Sequence, residues 1–330
     1  MRRLATGLAV LLALAGAARG DDADVDRFDW QRVAGAGKRA YRAAMNRADG
    51  LAARAAQQVN EGDDGRGKAL SLRAVDAYEA ASAADPTQPE PHYRAAEVLY
   101  EHFIDIRRMH QIMGDTRHPA ERALRHWAEW FRLAPRDPRA AGVLFSRSLL
   151  HTKLGGEASY RAAIADYDAQ LRLLDSGVTP PDQMATVLSN AAEIYMALGD
   201  IDAAIELYQS ALDFNNEALY AYGLAVALDR DDQGGRAREL MARYHYSQTV
   251  LDRQVVFFVP PGDENYYKAL GNETLGDWES ALKYYENFLR YQPKSPYAPR
   301  AKEHIARLSR WVKTHKKPVP KPAPHEVMWP

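Results

Sequence analysis

Histidine has the widest chemical range of the residue types in this chain, and five of its 10 histidines fall in one stretch: His92, His102, His110, His118 and His126. A metal held along one helix takes ligands three or four positions apart, so that they share a face. The gaps here are ten and then eight, so spacing alone puts no two on one face; only tertiary folding would bring together a pair such as His110 and His118. Cysteine is absent, which removes disulfides, thiolate nucleophiles and cysteine-based zinc sites. Asp22, Asp24 and Asp26 imitate the start of a calcium loop. Arg27 stands where that loop needs glycine, however, and Val33 where it needs a bidentate glutamate. There is no nucleophile elbow, phosphate loop, dinucleotide fingerprint or His-Glu-x-x-His. The reading is therefore binding rather than catalysis, with no catalytic residue, metal or cofactor assigned. A metal-dependent binder or enzyme using residues 92–126 is the rival, and a helical domain serving peptidoglycan or polysaccharide is a third reading.

The elements that must position any site are helices. A phrase recurs: a glycine turn, an alanine, an aromatic four residues on, and a proline eight beyond that. Ala281, Tyr285 and Pro293 follow Gly276-Asp277; Ala204 and Tyr208 follow Gly199-Asp200, with Asn216 in the proline's place. Ala74, Tyr78 and Pro86, and Ala123, Trp127 and Pro135, keep the same offsets. Antiparallel helices approach to about 8–10 Å only where small residues meet at the crossing. The alanines fill that role, with Ala96, Ala192 and Ala269 as their mates on the first helices. The aromatic fills the gap toward the next hairpin, and proline, lacking an N–H, stops the second helix.

This pattern resembles the tetratricopeptide repeat family over most of residues 68–310. The resemblance implies an all-α, right-handed α-solenoid of about five to six helical hairpins with a C-terminal capping helix. Internal repeats of this kind make a binding surface the expected product. The predicted organisation is a signal peptide at 1–20, an N-terminal linker at 21–34, the solenoid at 35–310 and a basic, proline-rich tail at 311–330. Insertions fall at 101–118, broken at Gly114 and Pro119, and at 247–262, where Val255 to Val259 reads as an extended segment. Arg2-Arg3, the apolar run Leu4–Leu14 and the small residues through Gly20 form an export signal. That run is shorter than the ~20 residues a spanning helix needs. The mature protein is expected in the periplasm or outside the cell, with no transmembrane segment and an undetermined oligomeric state.

The family lines its concave face with the first helix of each unit. Carried over residue by residue, the resemblance puts Glu90, Tyr93, Glu97 and Tyr100 there from the second unit. The fourth contributes Thr186, Ser189, Glu193 and Met196, the fifth Tyr222, Asp229 and Arg230, and the sixth Asp263, Tyr266 and Glu273. Ser189 and Glu193 stand where the basic carboxylate clamp of chaperone-binding members would need lysine and asparagine. The predicted groove is acidic and tyrosine-rich and suits a protein or peptide partner carrying Lys or Arg. The net charge of −1 provides no general attraction for nucleic acid.

Overall fold

The structure is a computed structural model that describes residues 23–103, 114–174, 179–253 and 259–315. Among them every regular element is an α-helix: α1 (Ala23–Asn60), α2 (Asp64–Ala84), α3 (Glu90–Phe103), α4 (Gly114–Leu133), α5 (Ala140–Leu154), α6 (Glu157–Leu173), α7 (Pro181–Leu198), α8 (Ile201–Phe214), α9 (Ala218–Arg230), α10 (Gly234–Arg243), α11 (Gln248–Arg253), α12 (Glu264–Thr274), α13 (Trp278–Tyr291) and α14 (Ala298–His315). Among the described residues the helices pair into six antiparallel hairpins of a helical-repeat fold. The chain divides into two compact units, the first holding α1–α4 and the second α5–α14.

The hairpin turns have a local cause. Gly62, Gly199 and Gly276 have φ of 87°, 87° and 78°, the left-handed region in which glycine alone carries no Cβ penalty. The next residue is always Asp, and its carboxylate caps the following helix. Asp63 accepts from the Arg66 amide at 2.9 Å, Asp200 from Ala203 at 3.4 Å and Asp277 from Ser280 at 3.1 Å. Pro86, Pro135 and Pro293 lie in turns just beyond α2, α4 and α13.

Ala74, Ala123, Ala204 and Ala281 have no exposed surface, nor do Ala96, Ala192 and Ala269. Tyr78, Trp127, Tyr208 and Tyr285 are buried one turn later. In unit 1, Trp127 packs beside Tyr100 with ring centroids 5.4 Å apart, and Trp130 beside Tyr93 at 5.5 Å. In unit 2 the hairpins are not simply stacked. Every residue of α9 from Tyr220 to Arg230 is buried, so this helix is covered on all sides. Hairpin α12–α13 and helix α14 pack back on α7–α9: the Tyr297 hydroxyl donates to the Met196 carbonyl at 2.7 Å, 101 positions upstream.

Several predicted boundaries shift. Residues 23–34, expected as linker, belong to α1. Gly114 opens α4 and Pro119 lies within it, just past the first turn, where its missing N–H forgoes one helical hydrogen bond. Part of 247–262 is helical, as α11, and Val259 is buried; Val255 to Phe258 lie outside the described residues. So do the signal segment, residues 104–113 and the tail from residue 316, while residues 311–315 continue α14. Among the described residues no helix is long and apolar enough to cross a membrane.

Candidate functional site

The predicted groove residues separate by unit. In unit 1, Glu90, Tyr93, Glu97 and Tyr100 are half-buried along α3. Glu90 accepts from Arg94 Nε at 2.8 Å. In unit 2, the exposed position expected for six of them is corrected: Glu193, Met196, Tyr222, Asp229, Tyr266 and Glu273 are all buried. The cause is the fold-back of α12–α14 together with the segment after α10. The Tyr222 hydroxyl donates toward the Tyr244 and His245 carbonyls, both at 3.3 Å, and accepts from the Ser247 amide at 3.0 Å. Met196 lies under Tyr297. Asp229 and Glu273 face α14 rather than solvent.

The buried charges are paired, as they must be out of water. His304 of α14 bridges two carboxylates, with Nε2 2.9 Å from Asp229 Oδ2 and Nδ1 2.7 Å from Glu273 Oε2. Asp229 also accepts from the Tyr266 hydroxyl at 2.8 Å and from Arg300 at 3.1 Å, and Arg307 bonds the second Glu273 oxygen. Burial works against charge on His304, but the hydrogen bonds with Asp229 and Glu273 outweigh it and raise its pKa. Burial likewise opposes charge on Asp229, and the contacts from His304 and Arg300 win, holding it well below the usual carboxylate range. Arg230 bonds Asp263 at 2.7 Å, with both side chains sealed from solvent. Its guanidinium lies 4.4 Å from the ring centres of Tyr266 and Tyr297.

A hollow remains open in unit 2. A cavity of about 130 Å³ lies among α7, α8, α9 and α12, bordered by Thr186, Ser189, Asn190, Glu193, Tyr208, Glu217, Tyr220, Gly223 and Tyr267. Thr186, Ser189 and Glu193 are spaced three and four apart and so share one face of α7. At the inner wall, Glu193 Oε1 accepts from the Tyr208 hydroxyl at 2.5 Å and from that of Tyr267. Its Oε2 has no hydrogen-bond partner among the described residues, and neither does Asn190 Nδ2. Burial, then the nearby charge of Asp263, pushes the Glu193 carboxyl up to about 8. Gly223 lets Tyr208 reach this wall, since a Cβ there would sit 2.2 Å from its ring. Repeat register pointed to Thr186, Ser189 and Glu193, but missed Asn190, Tyr220, Gly223 and Tyr267. A glycine inside the apolar α9 was the available signal of a close approach.

Unit 1 holds a second arrangement. His126 Nε2 meets Glu79 Oε1 at 3.1 Å, His126 Nδ1 meets His92 Nδ1 at 3.1 Å, and His92 Nε2 meets Ser82 Oγ at 2.8 Å. Burial lowers both histidines, His126 to about 4, so both are neutral at pH 7. Burial opposes charge on Glu79, but Arg122 outweighs it and lowers its pKa, leaving an acceptor. One tautomer set then fits. His126 donates from Nε2 to Glu79, His92 donates from Nδ1 to His126, and Ser82 donates to His92. His110 of the predicted pair lies outside the described residues, and His118 is exposed. Among the described residues no group of three or more His, Asp or Glu is placed to hold a metal.

Tandem antiparallel hairpins with buried alanines at their crossings define a helical-repeat fold. Residues 187–219, which span most of α7 and α8, match the tetratricopeptide repeat family model. The same alanine and aromatic are buried in the flanking hairpins, so the tetratricopeptide repeat matched at 187–219 shares its build with its neighbours, in a repeat architecture that presents extended binding surfaces. Solved structures similar to it include MamA residues 41-end from Desulfovibrio magneticus RS-1, at 17% identity, covering 62% of this chain and 97% of that one, with a TM-score of 0.43. Pseudomonas aeruginosa PilF is 14% identical, over 80% of this chain and 99% of that one, with a TM-score of 0.43. YrrB, described as a TPR protein with an unusual peptide-binding site, is 16% identical, over 69% and 99%, with a TM-score of 0.37. No curated protein matches the chain.

Proposed function

We propose that this chain is an exported scaffold that captures a polypeptide partner in the cell envelope without performing a reaction of its own. The observation that carries this reading is the row Thr186, Ser189 and Glu193, which faces the cavity from one side of a rigid hairpin. Sites on helices hold their geometry better than sites on loops. The charged apolar-small sequence of residues 1–20 supports export, and cleavage after Gly20 would leave Asp21 as the mature N-terminus. The groove is narrower than the sequence implied, because α12–α14 occupy much of the face that Tyr222, Asp229, Tyr266 and Glu273 were expected to line. A photo-crosslinking residue placed at Ser189 in intact cells tests the proposal. One defined envelope protein in the adduct is expected, and adducts spread evenly over abundant proteins, or none above an exposed control site such as Asp202, would refute it.

The rival based on residues 92–126 has one observation in its favour, the directed chain from Ser82 to Glu79. That order polarises the serine hydroxyl, as a nucleophile's base would. Ser82 lies inside α2, where neighbouring amides are engaged in the helix rather than free to stabilise an oxyanion. Fluorophosphonate labelling of Ser82 that disappears in His92→Ala would favour the rival; absence of labelling leaves the scaffold reading in place.

A further inference from the structure

We propose that the cavity beside Glu193 receives a positively charged side chain of the partner, held by the free Glu193 oxygen at the inner wall and by Glu217 at the rim. The inference rests on the scaffold reading and names the chemistry of its contact. Glu193 is 4% exposed, and its Oε2 is a buried polar atom without a partner. Such an atom is costly to leave unmade, and the residue that carries it lines an open cavity, so a small shift of the wall would bring the oxygen to a guest. The two tyrosine hydroxyls fix the other oxygen, so the carboxyl group cannot swing away to satisfy itself.

The lining selects the sign of the guest. Among the residues bordering the cavity the ionisable groups are Glu193, Glu217 and the tyrosines Tyr208, Tyr220 and Tyr267; none is a cation. Aromatic faces favour a guanidinium or ammonium further. A carboxylate guest would meet Glu217 at the mouth, while Asp263 behind the wall is balanced by its partner Arg230. Asn190 Nδ2, the second unmet group, suits a main-chain carbonyl of the polypeptide carrying the cation.

Binding is then coupled to a proton. The groups facing Glu193 are Tyr208 from α8, Arg230 from α9, Tyr267 from α12 and Asp263 just before α12. Burial and Asp263 keep a proton on Glu193 to about pH 8; the incoming cation takes that proton's place, and one proton leaves. As pH falls below the raised Glu193 value the apparent affinity should weaken, approaching at most about tenfold per pH unit.

The test uses the full mature chain and two capped tripeptides, Ala-Arg-Ala and its neutral isostere with citrulline at the centre, titrated by NMR at pH 6 and pH 8. The expected result is saturable binding of the arginine peptide, at least tenfold weaker binding of the citrulline peptide, and loss of affinity at pH 6. Glu193→Gln keeps an acceptor for both tyrosines and should melt within a few degrees of the parent, yet lose both the preference and the pH dependence. Equal binding of the two peptides, tighter binding of a glutamate peptide, or unchanged binding by Glu193→Gln would overturn the proposal. Partner crosslinking at Ser189 in the Glu193→Gln background separates the two levels. Persistent crosslinking without arginine selectivity rejects the cation pocket and leaves the scaffold reading standing.

Discussion

Arg230→Met is the most informative single perturbation of unit 2. The guanidinium bonds Asp263 at 2.7 Å, and the two side chains are 1% and 2% exposed. Methionine keeps most of the packing volume against Tyr266 and Tyr297 but leaves Asp263 as a buried carboxyl with no counter-charge. Breaking a buried pair from one side costs about 3–5 kcal/mol, a large part of the ~5–15 kcal/mol that holds a domain folded. Adding Asp263→Asn removes the stranded charge, so the double variant should recover about 2 kcal/mol or more relative to Arg230→Met. The deficit should also depend on pH. Burial already raises the Asp263 carboxyl and Arg230 pulls against it; without Arg230 the folded-state value rises further above the unfolded one. A raised carboxyl gives stability that is present at low pH and lost as pH climbs through the folded value. The gap between parent and Arg230→Met should therefore narrow as pH falls from 7.5 to 5. Urea unfolding followed by far-UV circular dichroism measures all three quantities. A single-variant loss under 1 kcal/mol, or a double variant no better than the single one, would show that the pair does not hold α9 to the segment before α12.

Three further outcomes are expected. His304→Gln should lower the melting temperature most below pH ~6.5, the unfolded histidine value, with the gap closing as pH rises through the elevated folded value; thermal melts from pH 6 to pH 9 check this. Ala281→Leu adds volume at a crossing with no free space and should cost ~1–3 kcal/mol in urea unfolding. Gly223→Ala should cost a similar ~1–3 kcal/mol, because its Cβ would lie 2.2 Å from the Tyr208 ring, and NMR titration should show weaker arginine-peptide binding as Tyr208 is displaced from Glu193.

The hairpins were legible because their determinants are local. An alanine needed at a crossing, an aromatic one turn on and a Gly-Asp turn are read within a dozen residues, and Ala204, Tyr208, Ala281 and Tyr285 are buried accordingly. The site was legible only in part because depth is set by distant chain. Glu193 was placed on the α7 face that carries Thr186 and Ser189, but whether that face meets water depends on Tyr267 and on Tyr297, which lies 101 positions beyond Met196. Nothing near Arg300, His304 and Arg307 in sequence marks them as partners of Asp229 and Glu273. The small residues Ala221, Gly223, Ala225 and Ala227 did carry a signal, since small residues on more than one face let a helix be approached from more than one side. The repeat pattern, which asks for only one close crossing per helix, hid it.

The enclosure of α9 bears on how this chain can vary. An open array of hairpins lengthens or shortens by whole units, because each touches only its neighbours. Unit 2 has lost that freedom: removing α14 would strip Asp229 of Arg300 and His304, and inserting a hairpin after α10 would pull Asp263 away from Arg230. Natural variants of this unit should therefore differ by loop length and surface substitution, while the number of helices stays constant.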